Sequence, residues 1–365
     1  MTTKKLFSHI LFIFVFLLLC VSIVHLCMSG CSVHDPANYT QKTIYAFSDT
    51  HAYNCHSYEN SLLLVDTTRM LCVDKSGNVR WSIDFPTASP LIKVAGRYIL
   101  IADSSGNHAA LISRGNIIKS LELDGIIATT SLNKNGFFSI STNAEGYKSI
   151  LTAYNPLGDL YYQWKTSENF IIDSHVSKNG KKIACSLLST KNGEVVGIVS
   201  VIDADKAETI KEFQYDNAIF SDVEILSNGS LLAIGDTMTL AIPSSYNNVI
   251  FIDYRGKILQ DYAYTSSGRL ALAFENSRNA TTLEVYSKSL KMTGSTDVPF
   301  NISGMEIARG RVVLFDTHKI NLYSYKGRAK VLSNLTGSFS WGTSSGSHNS
   351  FFVVGANSVR LITLR

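Results

Sequence analysis

The stretch MLCVDKSGNVRWSIDF (residues 70–85) decides the fold, because apolar and polar residues alternate on both sides of a short Asp-Lys-Ser-Gly turn. Alternation with period two is typical of half-buried strands, and two such strands around a turn form an antiparallel hairpin. Similar hairpins follow along the chain. They are ALISRGNIIKSLEL (110–123), LTAYNPLGDLYYQW (151–164), VSVIDADKAETIKEF (199–213), IFIDYRGKILQDYAY (250–264), LEVYSKSLKMTGS (283–295) and INLYSYKGRAKVLS (320–333).

A second hairpin precedes several of these copies. Its turn carries Asn-Gly at Asn135, Asn179 and Asn228, and Asn-Gly is the strongest short signal for a two-residue β-turn. Turn positions from Gly77 to Gly327 recur at about 42 residues, the period of a propeller blade. Two hairpins per repeat give four antiparallel strands, so the sequence predicts an all-β fold, a single β-propeller.

The two ends of the chain predict how the ring closes. FFVVGANSVRLITLR (351–365) supplies the second and third strands of a further blade, and TIYAF (43–47) can supply its outer strand. Sharing one blade between both ends removes open sheet edges. We therefore expect eight blades, or seven if the short interval between Gly256 and Ser289 marks an incomplete one. TMTLAIPSSYNNV (237–249) is an insertion into one hairpin, either a contact loop or a longer hairpin.

Residues 6–27, LFSHILFIFVFLLLCVSIVHLC, form an almost unbroken apolar run, close to the ~20 residues that span a bilayer as a helix. Lys4 and Lys5 precede it, and no Lys or Arg follows before Lys42. Basic residues favour the cytoplasmic side. We predict a cytoplasmic tail (1–5), a single transmembrane anchor in the cell membrane (6–27), a linker (28–42) and an extracytoplasmic propeller (43–365). The alternative is a lipoprotein attached through Cys31, because MSGC (28–31) resembles a lipobox.

Charge and cysteine content limit the remaining possibilities. The chain has 33 Lys and Arg against 29 Asp and Glu, without a block of one sign, which predicts no nucleic-acid partner. The few cysteines give no disulfide framework. Cys55 and Cys72, expected on neighbouring strands, form either one disulfide or an unpaired buried pair.

MLCVDKSGNVRW, LTAYNPLGDLYYQW and IFIDYRGKIL resemble the blade repeat of quinoprotein (PQQ-like) propellers, with Trp81 and Trp164 near its closing Trp. The resemblance covers most of residues 43–365 and implies a propeller fold. The quinoprotein enzymes would also imply a vicinal cysteine pair, which this chain lacks. An anchor followed by one propeller is similar to a family of membrane-anchored bacterial proteins of unknown function, and to the non-enzymatic scaffold lipoprotein of outer-membrane barrel assembly.

Two catalytic signatures are not found in the sequence: it has no S-x-x-K with companion boxes and no H-E-x-x-H. We therefore assign no catalytic, cofactor-binding or metal-binding residue and expect no cofactor. His51, Cys55 and His56 give a weak metal signal, because the two histidines point to opposite faces of one strand. Carboxylates near the turns of the innermost strands are the first places to search for a site. These are Asp103, Asp173, Asp222 and Glu306.

The predicted function is a non-enzymatic extracytoplasmic binding or scaffold module, tethered to the membrane, with a protein or cell-envelope polymer as partner. Function in such a fold depends on its loops and not on the fold itself. The alternative is an extracellular hydrolase or lyase with a metal at the mouth of the channel. Acidic and His side chains meeting within ligand distance at one end of the channel would favour that alternative.

Overall fold

The computed structural model describes residues 39–47, 53–276, 280–347 and 349–365, and these residues contain 32 strands and no helix. The strands form eight four-stranded antiparallel sheets. Blades 1 to 4 are β2 (Asn54–Tyr58), β3 (Ser61–Val65), β4 (Arg69–Val73), β5 (Val79–Asp84); β6 (Pro90–Ala95), β7 (Tyr98–Asp103), β8 (His108–Ser113), β9 (Asn116–Glu122); β10 (Ile126–Leu132), β11 (Phe138–Ala144), β12 (Tyr147–Tyr154), β13 (Leu160–Thr166); and β14 (Phe170–Val176), β15 (Lys182–Lys191), β16 (Glu194–Asp203), β17 (Glu208–Asp216).

The other four sheets continue the pattern and end with a blade built from both ends of the chain. Blades 5 to 8 are β18 (Phe220–Ile225), β19 (Leu231–Gly235), β20 (Met238–Ile242), β21 (Ile250–Asp253); β22 (Leu259–Tyr264), β23 (Leu270–Asn276), β24 (Ala280–Tyr286), β25 (Met292–Val298); β26 (Gly304–Ala308), β27 (Arg311–Asp316), β28 (Lys319–Ser324), β29 (Ala329–Val331); and β30 (Trp341–Ser344), β31 (Ser350–Val354), β32 (Ser358–Leu364), β1 (Tyr39–Ala46).

The prediction of an eight-bladed propeller is confirmed, and so is its closure. In blade 8, β1 pairs antiparallel with β32 from Tyr39 opposite Leu364 to Ala46 opposite Ser358. The predicted strand at 43–47 is therefore the second half of a longer outer strand. The predicted transmembrane segment (6–27) lies outside the described residues. Within the described part of the chain, no helix is long and apolar enough to cross a membrane.

One predicted hairpin is wrong. IFIDYRGKILQDYAY (250–264) contributes its first half to β21, the outer strand of blade 5, and its second half to β22, the inner strand of blade 6. The turn at Gly256 is consequently a connection between blades. The stretch at 237–249 contains β20, the third strand of blade 5, followed by a long turn to β21, so the longer-hairpin alternative describes it. The mistake at Gly256 arises because alternation and a Gly turn look the same within a blade and between blades.

Cys55 and Cys72 are free and buried, so the unpaired alternative describes them. They do not lie on neighbouring strands: β3 separates β2 from β4, with Cys55 opposite Leu64 and Cys72 opposite Leu63. Because Leu63 and Leu64 are consecutive in a strand, the two thiols point to opposite faces of the blade. Burial raises the pKa of the Cys55 thiol to about 12, and this thiol behaves as a small apolar side chain.

The core lies between the blades and is centred on the second strands. All the residues of β3, β7, β19 and β31 are buried, which explains apolar runs such as LLLV in β3 and YILIA in β7. Neighbouring blades cover both faces of these second strands, so both faces are apolar. The outer strands β9 and β17 are mostly exposed, and most of their residues are accordingly polar.

Two faces of the disc are distinguished below. The entry face carries the turns that join first to second and third to fourth strands of each blade. We call it the entry face because β1 begins on this side, at Tyr39, opposite the end of β32. The opposite face carries the remaining turns and the connections between blades.

Recurring glycines on the entry face allow neighbouring blades to pack closely. Gly115 lies in the turn between β8 and β9 at φ +82°, and a Cβ there would be 2.7 Å from Trp81 Cγ of blade 1. A Cβ on Gly158 would be 2.4 Å from Lys119 Cβ of the preceding blade. The turn glycine of one blade thus lies against the outer strand of the blade before it. This packing explains why Gly recurs at the blade period.

We expect Gly115→Ala to destabilise the propeller by about 3 kcal/mol, because it combines left-handed backbone strain with overpacking against Trp81. Gly256→Ala is the matched control: Gly256 also has a positive φ, +76°, but no atom lies within 4 Å of its Cβ position. The control should lose only about 1 kcal/mol. Urea unfolding of both variants measures the difference, and equal losses would contradict the packing role of Gly115.

Candidate functional site

The first strands of the blades line the central channel, since each contacts the first strand of a neighbouring blade around a ring. Alternate residues of these strands therefore face the channel. On blades 2, 4, 5 and 6 the channel-facing residues are ionisable or phenolic and surround one cavity of about 310 Å³. We call them the channel cluster: Lys93, Asp173, His175, Asp222, Glu224, Tyr262 and Tyr264.

Period-two spacing brings these side chains together. Asp173 and His175 lie two apart on β14, Asp222 and Glu224 two apart on β18, and the two tyrosines two apart on β22. Each pair consequently shares one face of its strand. The rings of Tyr262 and Tyr264 stack with centroids 6.3 Å apart and an interplanar angle of 5°.

Hydrogen bonds from the cluster join adjacent blades. The backbone N–H of Val223 on blade 5 donates to Asp173 Oδ2 on blade 4 at 2.9 Å. The hydroxyl of Tyr264 on blade 6 donates to Asp222 Oδ2 on blade 5 at 3.0 Å. Two carboxylates are thereby fixed in orientation across two blade boundaries.

His175 uses both ring nitrogens. The backbone N–H of Ile225 donates to Nδ1 at 3.1 Å, and Nε2 lies 3.1 Å from Glu224 Oε2. Because Nδ1 accepts a backbone proton, the neutral ring carries its own proton on Nε2 and donates it to Glu224. Protonation of Nδ1 would break the bond to Ile225. This geometry favours a neutral imidazole.

Burial strongly shifts the ionisation of the cluster. Burial lowers the pKa of His175 to about 4, with a further contribution from Lys93. Burial raises the pKa of Glu224 to about 8, and the neighbouring Asp222 and Asp173 add to the shift. The pKa of Asp173 is raised by burial and then by Asp222. Near neutral pH the His175–Glu224 contact is therefore a hydrogen bond between neutral groups and not an ion pair.

The cavity opens toward the entry face. His175 and Glu224 also line a second space of about 750 Å³, bounded by the turns of blades 3, 4 and 5. Lys134, Lys178 and Lys181 line this second space, which forms the mouth of the channel. A ligand entering from the entry face would meet amide and ammonium groups first and the channel cluster below them.

Two of the four predicted carboxylates, Asp173 and Asp222, belong to the cluster. Glu306, on β26, is held apart: its Oε1 accepts the Ser344 N–H at 2.8 Å and its Oε2 accepts the Thr343 hydroxyl at 2.9 Å. Burial raises the pKa of Glu306 to about 7. Asp103 ends β7 on the opposite face, where it accepts the backbone N–H groups of Ser89 and Ser105, both at 3.1 Å. It caps a turn.

The predicted metal signal at residues 51–56 falls partly outside the described residues, because His51 is not among them. Cys55 and His56 are consecutive on β2, so their side chains point to opposite sides. Burial and then Lys93 lower the pKa of His56 to about 4. Within residues 39–47, 53–276, 280–347 and 349–365, no three His, Cys, Asp or Glu side chains are arranged to hold a metal ion.

Sequence reasoning missed His175, Glu224, Lys93 and the two tyrosines. The signal for His175 and Glu224 was present, since D-x-H at 173–175 and D-x-E at 222–224 place them on the same strand faces as the predicted aspartates. Lys93 and the tyrosines lie on other blades. Which residue of one blade meets which residue of another depends on inner-strand register, which no local pattern gives.

The chain belongs to a family of unknown function (DUF5711), whose model matches residues 33–364. No curated protein matches the sequence. The match therefore shows the family of this chain but gives no activity for it.

Solved structures show the same fold at very low identity. Sqt1 of Saccharomyces cerevisiae matches with a TM-score of 0.63 at 8% identity, covering 89% of this chain and 99% of that one. The C-terminal WD40 domain of Sif2 matches with a TM-score of 0.62 at 11% identity, covering 89% and 98%. BamB from Moraxella catarrhalis matches with a TM-score of 0.54 at 9% identity, covering 89% and 98%. The protein therefore shares the β-propeller fold of these structures.

Proposed function

We propose that this protein is a non-enzymatic binding module, tethered by residues 6–27 to the outer side of the cell membrane, with a protein or cell-envelope polymer as partner. Its binding site is the channel cavity that the channel cluster surrounds. The apolar run at residues 6–27 and the basic Lys4 and Lys5 support the tether and its direction.

One observation carries the choice of binding over catalysis: the reactive groups of the cluster already have partners. His175 is hydrogen-bonded through both nitrogens, and Asp173 accepts a backbone N–H from the next blade. A general base needs a free lone pair directed at substrate, and a metal ligand needs one directed at the ion. In this cluster Nδ1 of His175 and Oδ2 of Asp173 accept backbone N–H groups of the next blade and so hold blades together.

The cavity suits a polar ligand. It combines hydrogen-bond acceptors on Asp222 and Glu224, a stacked pair of tyrosines and the ammonium of Lys93 within one wall. Polar groups converging in a concave site give orientation and specificity to binding. A carbohydrate or peptide segment of the partner has the hydroxyl and amide groups that this wall can match.

The tether is tested on the full chain in intact cells. We expect the protein to stay in the membrane fraction after carbonate washing, and externally added protease to remove the propeller from unbroken cells. A variant with residues 6–27 deleted is the matched control and should leave the membrane fraction. Complete resistance to external protease, alongside digestion after cell lysis, would contradict the proposed location.

The alternative, a hydrolase or lyase with a channel metal, is tested by metal titration. We expect no calorimetric binding of Zn²⁺, Mn²⁺ or Ca²⁺ that is tighter than about 100 µM and lost in Asp173→Asn, because that affinity requires several free ligands. A micromolar or tighter site abolished by Asp173→Asn, with Glu212→Gln on the exposed strand β17 as an unaffected control, would favour the enzyme.

A further inference from the structure

We infer that the entry face of the propeller lies against the anionic lipid surface of the membrane that holds the chain. This inference rests on the proposed tether and adds an orientation and a lipid class to it. Three features support it: the segregation of charge between the two faces, the apolar side chains at the rim of the entry face, and the place where the chain enters the disc.

The turns of the entry face are strongly basic. Within the described residues they contain thirteen Lys or Arg and four Asp or Glu. The turns between first and second strands, around the channel mouth, carry Arg97, Lys134, Lys178, Lys181, Arg269 and Arg309. The turns between third and fourth strands, around the rim, carry Lys75, Arg114, Lys206, Lys288, Lys291, Lys326 and Arg328.

The opposite face has the reverse charge. Its described turns carry five Asp or Glu and two Lys or Arg. The acidic residues are Asp66, Asp124, Glu145, Glu168 and Asp236. The strand ends beside them add seven acidic residues, Asp84, Asp103, Glu122, Glu194, Asp216, Asp253 and Asp316, and three basic ones, Arg69, Lys191 and Lys319. The near-neutral composition of the chain thus conceals a polarised molecule, in which one face attracts an anionic surface and the other is repelled by it.

Exposed apolar side chains accompany the basic residues at the rim. Leu157 is 67% exposed at the tip of the turn between β12 and β13, and Leu160 is 55% exposed where β13 begins. Ile117 near the start of β9 and Met292 at the start of β25 are 49% and 48% exposed. Basic residues interleaved with exposed apolar ones are typical of surfaces that enter the headgroup region of a bilayer. The opposite face also exposes apolar side chains, with Ile126 at 57% and Ile258 at 64%, so charge and not apolar exposure distinguishes the two faces.

The chain places this face near the membrane. Strand β1 begins at Tyr39 on the entry face, and residues 28–38 separate it from the predicted anchor. Eleven residues span at most about 40 Å when fully extended. The anchor therefore leaves the disc on its basic side, within reach of a surface whose attraction acts over about one Debye length, ~8 Å at physiological salt.

The test uses the full chain reconstituted in vesicles of phosphatidylcholine alone or with a quarter phosphatidylglycerol, and measures acetylation of lysines by mass spectrometry. We expect the exposed Lys134 and Lys178 on the entry face to react at least about fivefold more slowly in the anionic vesicles. The exposed Lys165 and Lys191, close to the opposite face, should react equally in both. Salt at 0.5 M should remove the protection, because the attraction is screened.

A charge-reversal variant identifies the contacts without changing the reporting lysines. Lys288→Glu, Lys291→Glu and Lys326→Glu remove three rim charges, each contributing about a fivefold preference for the anionic surface. Protection of Lys134 and Lys178 should then fall below about twofold. The control replaces Lys165 and Lys191 by Glu and should leave the protection of Lys134 and Lys178 unchanged.

The outcomes separate this inference from the tether. Equal acetylation of both lysine pairs in anionic vesicles, by protein that floats with neutral vesicles after carbonate washing, overturns the orientation and leaves the tether standing. Protein that does not float with neutral vesicles contradicts the tether itself. Protection seen in whole cells but not in anionic vesicles would assign the basic face to an acidic envelope polymer and overturn the lipid proposal.

Discussion

A disulfide between β1 and β32 should make the propeller more stable by about 4 kcal/mol, the largest effect we expect from any local change. Thr40 lies directly opposite Thr363 in this antiparallel pair, and opposite residues there have Cα atoms about 4.5 to 5.5 Å apart, within disulfide range. Thr40→Cys with Thr363→Cys would close a loop of nearly the whole propeller. Entropy loss in the unfolded chain grows with loop length.

The measurement is urea unfolding of the double variant, oxidised and after reduction. The reduced protein is its own control, since it carries the same substitutions, including the loss of the Thr363 hydrogen bond to Ser350. The single variant Thr40→Cys controls for mispairing with native cysteines. Equal stability of the oxidised and reduced double variant would show that blade 8 opens before the rest of the disc unfolds.

We expect Glu224→Gln to stabilise the protein at alkaline pH and to have little effect at acidic pH. The pKa of Glu224 is raised from about 4.5 to about 8 by burial. In the wild type, the contribution of Glu224 to the free energy of unfolding is fully present below its unfolded pKa and is lost as pH rises through its folded pKa. Glutamine keeps an acceptor for His175 without titrating. The gain should grow by about 3 kcal/mol between pH 5 and pH 8.

Urea unfolding at the two pH values measures this change. Glu212→Gln, at an exposed position of the outer strand β17, is the matched control and should change stability equally at pH 5 and pH 8. A Glu224→Gln gain that is the same at both pH values would mean that water in the channel solvates the carboxylate, and that burial does not govern it.

Much of the architecture could be predicted from the chain because blades are local. A hairpin needs only alternation and a turn, so the repeats around Gly77, Gly115 and Gly158 indicated blades directly. The closing blade could also be predicted, because β31 and β32 lack a fourth strand in their own sequence. The failure at Gly256 marks the limit: a turn between blades and a turn within one obey the same local rules.

The site could be predicted only in part. Asp173 and Asp222 were found because they were expected near the turns of the innermost strands, and His175 and Glu224 follow from them by period two. Lys93 and Tyr264 could not be found in this way. Lys93 comes from blade 2 and Tyr264 from blade 6, and their convergence depends on how far each inner strand advances along the channel axis.

The shared last blade also sets the order in which the protein can be completed during synthesis. Strand β1 leaves the ribosome among the first residues of the propeller, and its partner β32 leaves last. Until then β1 has no neighbour to pair with, and the growing sheet array has two unpaired edges that can pair wrongly. A prematurely terminated chain would keep those edges exposed. Ring closure therefore removes these edges only once the last strand of the propeller is in place.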